Sequence, residues 1–150
     1  MAGQSVDNLL KDGIPDGAFT MSYFAEGTEI ADAVIGIAPV KMVVLKAWIG
    51  VGTAADGACT AHVKQVPSGT AINQAGQDIT TASFDLDASS GGGVSANSTA
   101  ELTLVTASGV PDANTVEAGD RLVLDLGSDS TALTAPHVTV LCMPFNTAQA

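Results

Sequence analysis

The sequence predicts an all-β fold in which antiparallel strands pack as a sandwich, and three observations carry this prediction. Short segments rich in β-branched or aromatic residues alternate with turns made of Gly, Pro, Asn and Asp. No long segment shows the periodicity of an amphipathic helix. The charged fraction is low, at 14%, and the polar remainder is mostly Gly, Ser and Thr, which is typical of many all-β surfaces.

The segments with strand character number eight, as expected of an eight-stranded antiparallel β-sandwich of the jelly-roll type. Within most of them every second residue is apolar, so one face of each strand is predicted to line a core. The long loops 67–77 and 87–98 are predicted at the ends of the sandwich. In chain order the predicted strands are 19–25, 33–37, 40–51, 58–66, 79–86, 99–106, 121–126 and 136–143.

The length of 150 residues predicts a single domain with a hydrophobic core of its own. Residues 1–18 show little periodicity, and the sequence DGIPDG within them concentrates turn-forming residues. We therefore expect residues 1–18 to form a flexible N-terminal arm and residues 19–150 to form a jelly-roll domain.

The charge balance excludes some classes of partner. A net charge of −11 repels nucleic acid phosphates and anionic lipids, and the five basic residues do not cluster. The most apolar stretch, 34–52, is interrupted by Pro39, Lys41 and Lys46, and the N-terminus lacks a secretory signal. We expect a soluble protein, made in a cytoplasm, that binds neither nucleic acid nor membrane.

Reactive side chains form no pattern typical of an enzyme. His62 and His137 are the only histidines, and nothing in the sequence places either beside a carboxylate. Cys59 and Cys142 lie far apart among apolar neighbours and are predicted to be buried, with a disulfide between them as the alternative. Carboxylates such as Asp85 and Asp129 could bind calcium, but no EF-hand spacing is present. We expect no catalytic residue, cofactor or metal.

The stretch VEAGDRLVLDLG, residues 116–127, contains the only arginine of the chain directly after an aspartate. Gly119 permits an unusual backbone conformation, and Asp120 can cap the turn through its side chain. Apolar alternation follows from Arg121 onward. We expect the start of a strand here, with Arg121 a surface charge that pairs with a nearby carboxylate.

A strand face that should be polar carries large apolar side chains. In the strand 40–51 the odd-numbered residues from Val43 to Val51 are predicted to point inward, which leaves an apolar row on the outer face. Either the arm or another subunit is expected to cover that row, whereas a register shift by one residue would exchange the two faces. The candidate subunit or capsid interface comprises Phe19, Tyr23, Phe24, Met42, Val44, Trp48, Leu141 and Met143.

Several stretches resemble jelly-roll domains of tailed-bacteriophage structural proteins, and most of all the small capsid decoration, or cement, proteins. They are VVLKAWIGVGTAADGACTAHV with its V-G-T-A turn, the GTAI hairpin, the pattern V-x-A-G-D-R-L-x-L-D-L and the final HVTVLCM. The resemblance covers residues 26–145 and is strongest at 52–54 and 118–122. It implies an eight-stranded jelly roll, often a homotrimer, that lies on the outer capsid surface and bridges coat subunits, and it implies no catalytic residues.

The first expectation is therefore a non-enzymatic structural virion protein whose partners are the major capsid protein and copies of itself. The alternative is a glycan- or receptor-binding module of a phage fibre or tail. Sugar sites use exposed aromatic platforms, and Trp48 and Tyr23 are the only ones besides the phenylalanines. A third class, a hydrolase, would need a metal or paired acids at a concave site.

Overall fold

The computed structural model describes residues 17–25, 32–81, 84–87, 93–105, 114–127 and 132–145. These residues form ten β-strands and no helix. Of the predicted arm, only Gly17 and Ala18 belong to the described residues. The strands are β1 (Phe19–Phe24), β2 (Asp32–Ile37), β3 (Met42–Val51), β4 (Thr60–Val66), β5 (Gln77–Asp78), β6 (Phe84–Asp85), β7 (Ser98–Leu102), β8 (Thr115–Val116), β9 (Arg121–Leu126) and β10 (His137–Pro144).

The strands form two antiparallel sheets, so the all-β prediction is confirmed. The first sheet has the order β1-β10-β3-β7, and β8 also pairs with β3. The second sheet has the order β2-β9-β4-β5, and β6 also pairs with β4. Each of the eight predicted segments contains one strand, and the two-residue strands β5 and β8 raise the count to ten.

The strand pairing follows a simple order along the chain. β1 pairs with β10, β2 with β9, β3 with β7 and β8, and β4 with β5 and β6. The first half of the chain therefore pairs with the second half in reverse, as in one long hairpin. Two further pairings, β10 with β3 and β9 with β4, connect these pairs within each sheet. Both sheets thus combine strands from the two halves of the chain.

A single core lies between the two sheets. All three leucines of β9 and both valines of β10 point into it, as the alternation predicts. Full burial of an aliphatic side chain of this size contributes roughly 2 kcal/mol. Cys59 and Cys142 lie in the same core as reduced thiols, which confirms their predicted burial. Burial raises the pKa of the Cys142 thiol to about 11.

A β-bulge interrupts β3. In the pairing with β10, Leu141 lies opposite Lys46 and Cys142 lies opposite Val44, so Leu45 is the extra residue. The side-chain alternation changes phase at this point. Before the bulge the even-numbered residues of β3 face the core, and after it the odd-numbered residues do. The predicted inward row is therefore correct for Ala47, Ile49 and Val51 but wrong for Val43 and Leu45, which are only partly buried.

Candidate functional site

Four of the eight residues predicted to form an interface face the core instead. Met42 and Val44 are fully buried, because the bulge at Leu45 turns the even-numbered residues inward. Phe19 and Tyr23 are half-buried and pack against the core, because in β1 the odd-numbered residues face inward. The prediction that these four side chains lie on an outer surface is wrong.

The other four predicted residues lie on the outer face of the first sheet, but their exposure differs. Leu141 is 7% exposed. Trp48 and Met143 are half-buried. Phe24 alone is strongly exposed, at 61%. The outer face is therefore not the broad apolar surface that the sequence predicts.

Exposed apolar side chains concentrate on β2 instead. Among the described residues the large apolar side chains that are clearly exposed are Phe24, Val34, Ile37 and Val40. Val34 and Ile37 lie on β2, and Val40 follows in the turn to β3; we call these three residues the β2 patch. Since β2 is an edge strand of the second sheet, the patch borders backbone groups of a kind that can pair with another strand.

The edge strand β1 lies against β2 at the same side of the sandwich. Met21 of β1 occupies the space beside Gly36 of β2, where a Cβ atom would lie 2.9 Å from the methionine Sδ. A side chain at position 36 would therefore have to displace the flexible end of Met21. A glycine within a strand pattern is the sequence signal for such a close approach. The two edges therefore form one continuous side of the molecule.

A pocket of about 360 Å³ opens at one end of the first sheet. Three of its lining residues, Phe24, His137 and Thr99, lie in one row across the sheet, where Phe24 pairs with His137, His137 with Gly50, and Gly50 with Thr99. Gly50 lacks a side chain, and the ring of His137 fills the space above it. The lining comprises Phe24, Val51, Gly52, Asn97, Ser98, Thr99, Ala135 and His137.

The imidazole of His137 is held in one orientation within this pocket. Its Nδ1 lies 3.0 Å from the carbonyl oxygen of Ala135, and in the neutral ring the Nδ1–H donates there and Nε2 is an acceptor. The ring lies over Gly50, where a Cβ atom would collide with Nε2. The ring of Phe24 packs against it with the ring centres 5.5 Å apart.

Two backbone positions with positive φ also belong to the pocket. Asn97 has a φ of 57° and Ala135 a φ of 49°, and these are the non-glycine residues with positive φ in the described part of the chain. Asparagine adopts this conformation readily, whereas for an alanine it costs roughly 1 kcal/mol. Strain of this kind concentrates at functional sites.

A second polar cluster lies on the outer face of the second sheet. Lys64 Nζ lies 2.6 Å from Asp125 Oδ2 and 3.8 Å from Asp32 Oδ2. His62 Nε2 lies 3.2 Å from Asp78 Oδ1 and 3.8 Å from the same Asp125 oxygen. Burial, and next the charge of Asp125, raise the pKa of Asp32. The fold thus places His62 beside two carboxylates, which the sequence could not indicate, because they come from two other strands.

The Asp120–Arg121 pair has a structural role that differs from the predicted one. β9 begins at Arg121 after a turn in which Gly119 has a φ of 88°, as predicted. Among the described residues Arg121 has no carboxylate partner; its Nη2 donates to the carbonyl oxygens of Pro67, at 3.0 Å, and of Thr70. The sequence prediction failed here because the acceptors are backbone atoms of a distant loop.

Asp120 attaches the same loop by its carboxylate. Oδ2 accepts from Gln65 Nε2 at 2.5 Å, and Oδ1 accepts from the backbone N–H of Ser68 at 3.1 Å. The loop after β4 is therefore bound in two ways: Asp120 accepts a hydrogen bond from its backbone N–H, and Arg121 donates hydrogen bonds to its backbone carbonyls. Together they hold the loop against the start of β9.

The described residues contain no group of three or more His, Cys, Asp or Glu side chains arranged to hold a metal ion. Asp129, one of the loop carboxylates, lies outside the described part of the chain. No helix in that part is long and apolar enough to cross a membrane. No protein-family model, curated protein or solved structure matches the chain. The β2 patch and the pocket beside Phe24 are therefore the features from which a function can be proposed.

Proposed function

We propose that the chain is a structural virion protein that binds the outer surface of a bacteriophage capsid and stabilises it by bridging major coat protein subunits. The observation that carries this proposal is the β2 patch. Val34 and Ile37 on the edge strand β2 are 38% and 61% exposed, and Val40 in the turn that follows is 45% exposed. Exposed aliphatic groups beside a sheet edge are typical of a docking surface.

The strand pairing supports a jelly-roll assignment for this fold. In a jelly roll the chain forms a long hairpin that is rolled into two sheets. This chain has the same arrangement. The outermost pair of the hairpin is β1 with β10, and the innermost is β4 with β6. The pairings of β10 with β3 and of β9 with β4 then join these pairs into sheets. The remaining two-residue strands, β5 and β8, pair with β4 and β3 and are additional to the eight strands of a jelly roll.

The mechanism is the burial of apolar area at many equivalent sites. Each exposed aliphatic side chain contributes roughly 1 kcal/mol when a partner covers it. A contact of three such side chains is weak alone but becomes strong when several copies bind one lattice together. The net charge of −11 keeps the protein away from packaged nucleic acid and suits a position on the outside of the shell. In this role the protein is not an enzyme.

The test is co-sedimentation with capsids that lack this chain, assembled from the coat protein of the same phage genome. We expect saturable binding of the wild type and a loss of at least about tenfold in affinity for Ile37→Asp, because a carboxylate then enters an apolar contact. Thr103→Asp is the matched control, because it introduces the same charge at an exposed residue outside the β2 patch and outside β1. No binding by the wild type, or equal binding by Ile37→Asp, would overturn the proposal.

We propose further that the protein forms a homotrimer. The copies would bury part of the β1–β2 side, where the two edge strands meet. Light scattering behind a sizing column is the measurement, and a mass independent of concentration at three times 14.9 kDa is the expected result. A monomer at all concentrations would exclude a preassembled trimer.

A second candidate function, attachment to a glycan or receptor, is favoured by one observation. This is the pocket of about 360 Å³ beside the exposed ring of Phe24. It lies at one end of the first sheet, whereas the β2 patch belongs to the second sheet.

A further inference from the structure

We propose that the pocket beside Phe24 binds a neutral saccharide, with the phenylalanine ring against the apolar face of a sugar and polar groups of the pocket on its hydroxyls. The proposal concerns residues outside the β2 patch and does not depend on capsid binding. It rests on the chemistry of the lining, the exposure of Phe24 and the orientation of His137.

The lining selects for an uncharged ligand with one apolar face. None of the side chains that line the pocket is a carboxylate, a lysine or an arginine. Phe24 offers an exposed aromatic ring, and Asn97, Ser98 and Thr99 offer exposed amide and hydroxyl groups. A sugar ring has C–H groups on one face and hydroxyls at its edge, and it can therefore use both kinds of group together.

The polar groups of the pocket are set to bind hydroxyls. Nδ1–H of His137 donates to the Ala135 carbonyl, which fixes the orientation of the ring beside Phe24. The hydroxyl of Ser98 donates to the carbonyl of Ser95 at 3.0 Å, which leaves its oxygen as an acceptor. The amide of Asn97 supplies both a donor and an acceptor.

The shape of the pocket depends on Gly50 and on two backbone positions. The ring of His137 fills the space above Gly50, and a side chain there would displace that ring. Asn97 and Ala135 hold left-handed conformations on either side of the end of β3. A volume of about 360 Å³ lies at the small end of the range of roughly 300–1,000 Å³ for ligand pockets. That size suits a monosaccharide or a disaccharide.

The test is a titration of the ¹⁵N-labelled protein with methyl α-D-glucopyranoside, methyl β-D-galactopyranoside and N-acetyl-D-glucosamine, each followed by NMR. We expect at least one sugar to give saturable shifts confined to residues 50–52, 97–99 and 135–137. The emission of Trp48, the only tryptophan, gives a second readout, because it lies two residues from Gly50 on the same face of β3.

Two matched variants locate the binding. Phe24→Ala should weaken the affinity by at least about fivefold through loss of ring stacking. Ile37→Ala, which removes an equally exposed apolar side chain elsewhere, should change it by less than about twofold. Each variant must retain the wild-type spectrum away from its substitution. Absence of saturable shifts with all three sugars, or binding that survives Phe24→Ala unchanged, would overturn the proposal without affecting the capsid-binding test.

Discussion

The ammonium group of Lys64 lies 2.6 Å from a carboxylate oxygen of Asp125, although the lysine side chain is only 5% exposed. Asp32 lies 3.8 Å from the same ammonium group, so one buried cation lies between two carboxylates. His62 extends the cluster from Asp125 to Asp78. The cluster joins β2, β9, β4 and β5, which are all the strands of the main path of the second sheet.

We expect Lys64→Met to destabilise the fold by about 3 kcal/mol, because it leaves two partly buried carboxylates without their cation. The measurement is the free energy of unfolding in urea. Lys46→Met is the matched control: Lys46 pairs with Glu101 at 3.7 Å, and its side chain is 49% exposed. That exposed pair should contribute less than about 0.5 kcal/mol. Equal effects of the two substitutions would contradict a structural role for the cluster.

The raised pKa of Asp32 predicts a pH dependence of stability. Burial and the Asp125 charge raise this pKa above the ordinary value of 3.8, while Lys64 and His62 oppose the shift without cancelling it. Between pH 3.8 and the pKa of the folded state, the native protein therefore retains a proton on Asp32 that the unfolded chain has lost. The free energy of unfolding must then fall as the pH rises through the folded pKa.

Asp32→Asn isolates this effect from the other carboxylates. We expect the wild-type protein to lose stability relative to Asp32→Asn as the pH rises from 3.8 through the folded pKa, and the difference to become constant above it. Urea unfolding at a series of pH values measures the difference, and ¹³C NMR of the carboxyl group gives the pKa directly. If the wild-type protein instead kept or gained stability relative to Asp32→Asn over this pH range, the pKa of Asp32 would not be raised.

The sequence predicted the strands well because their apolar alternation is regular. In β9 the leucines at every second position define one inward face, and the structure confirms that face. In β3 nearly every position from Met42 to Val51 is apolar, so the pattern cannot locate a change of phase. The bulge at Leu45 depends on pairing with β10, which lies about ninety residues later in the chain and leaves no local signal.

The candidate sites were less predictable, because their residues meet only in the folded chain. The pocket row combines Phe24, His137, Gly50 and Thr99 from four strands. A glycine within a strand pattern does indicate a close approach of other groups, and Gly50 was such a signal. The exposure of Ile37 had no signal, because an apolar residue on an edge strand has the same pattern as one in a buried strand.

The bulge itself can be tested with two neighbouring valines. We expect Val44→Ala to cost about 2 kcal/mol, because Val44 is fully buried and its loss leaves a cavity. Val43→Ala should cost less than about 1 kcal/mol, because Val43 is partly exposed on the other face. The substitutions have the same chemistry and the same change in strand propensity. Uninterrupted alternation through Ala47 would give the opposite order in urea unfolding.

Arg121 should control the order of the loop after β4. Its guanidinium donates to the carbonyls of Pro67 and Thr70, and a lysine ammonium lacks the planar geometry to replace both bonds. We expect Arg121→Met to lower the local opening free energy of residues 67–76 by roughly 2 kcal/mol and Arg121→Lys to lower it less. Hydrogen exchange of the backbone amides measures this change.

Lys41→Met provides the control for Arg121, because it removes a positive charge near the same turn without touching the loop. Lys41 pairs with Glu117 at 2.9 Å through a side chain that is 40% exposed, and such a pair contributes little. Exchange in residues 67–76 should therefore remain at the wild-type rate. If Arg121→Met also left that rate unchanged, the hydrogen bonds of Asp120 to Gln65 and Ser68 would be sufficient to hold the loop, and the arginine would be redundant there.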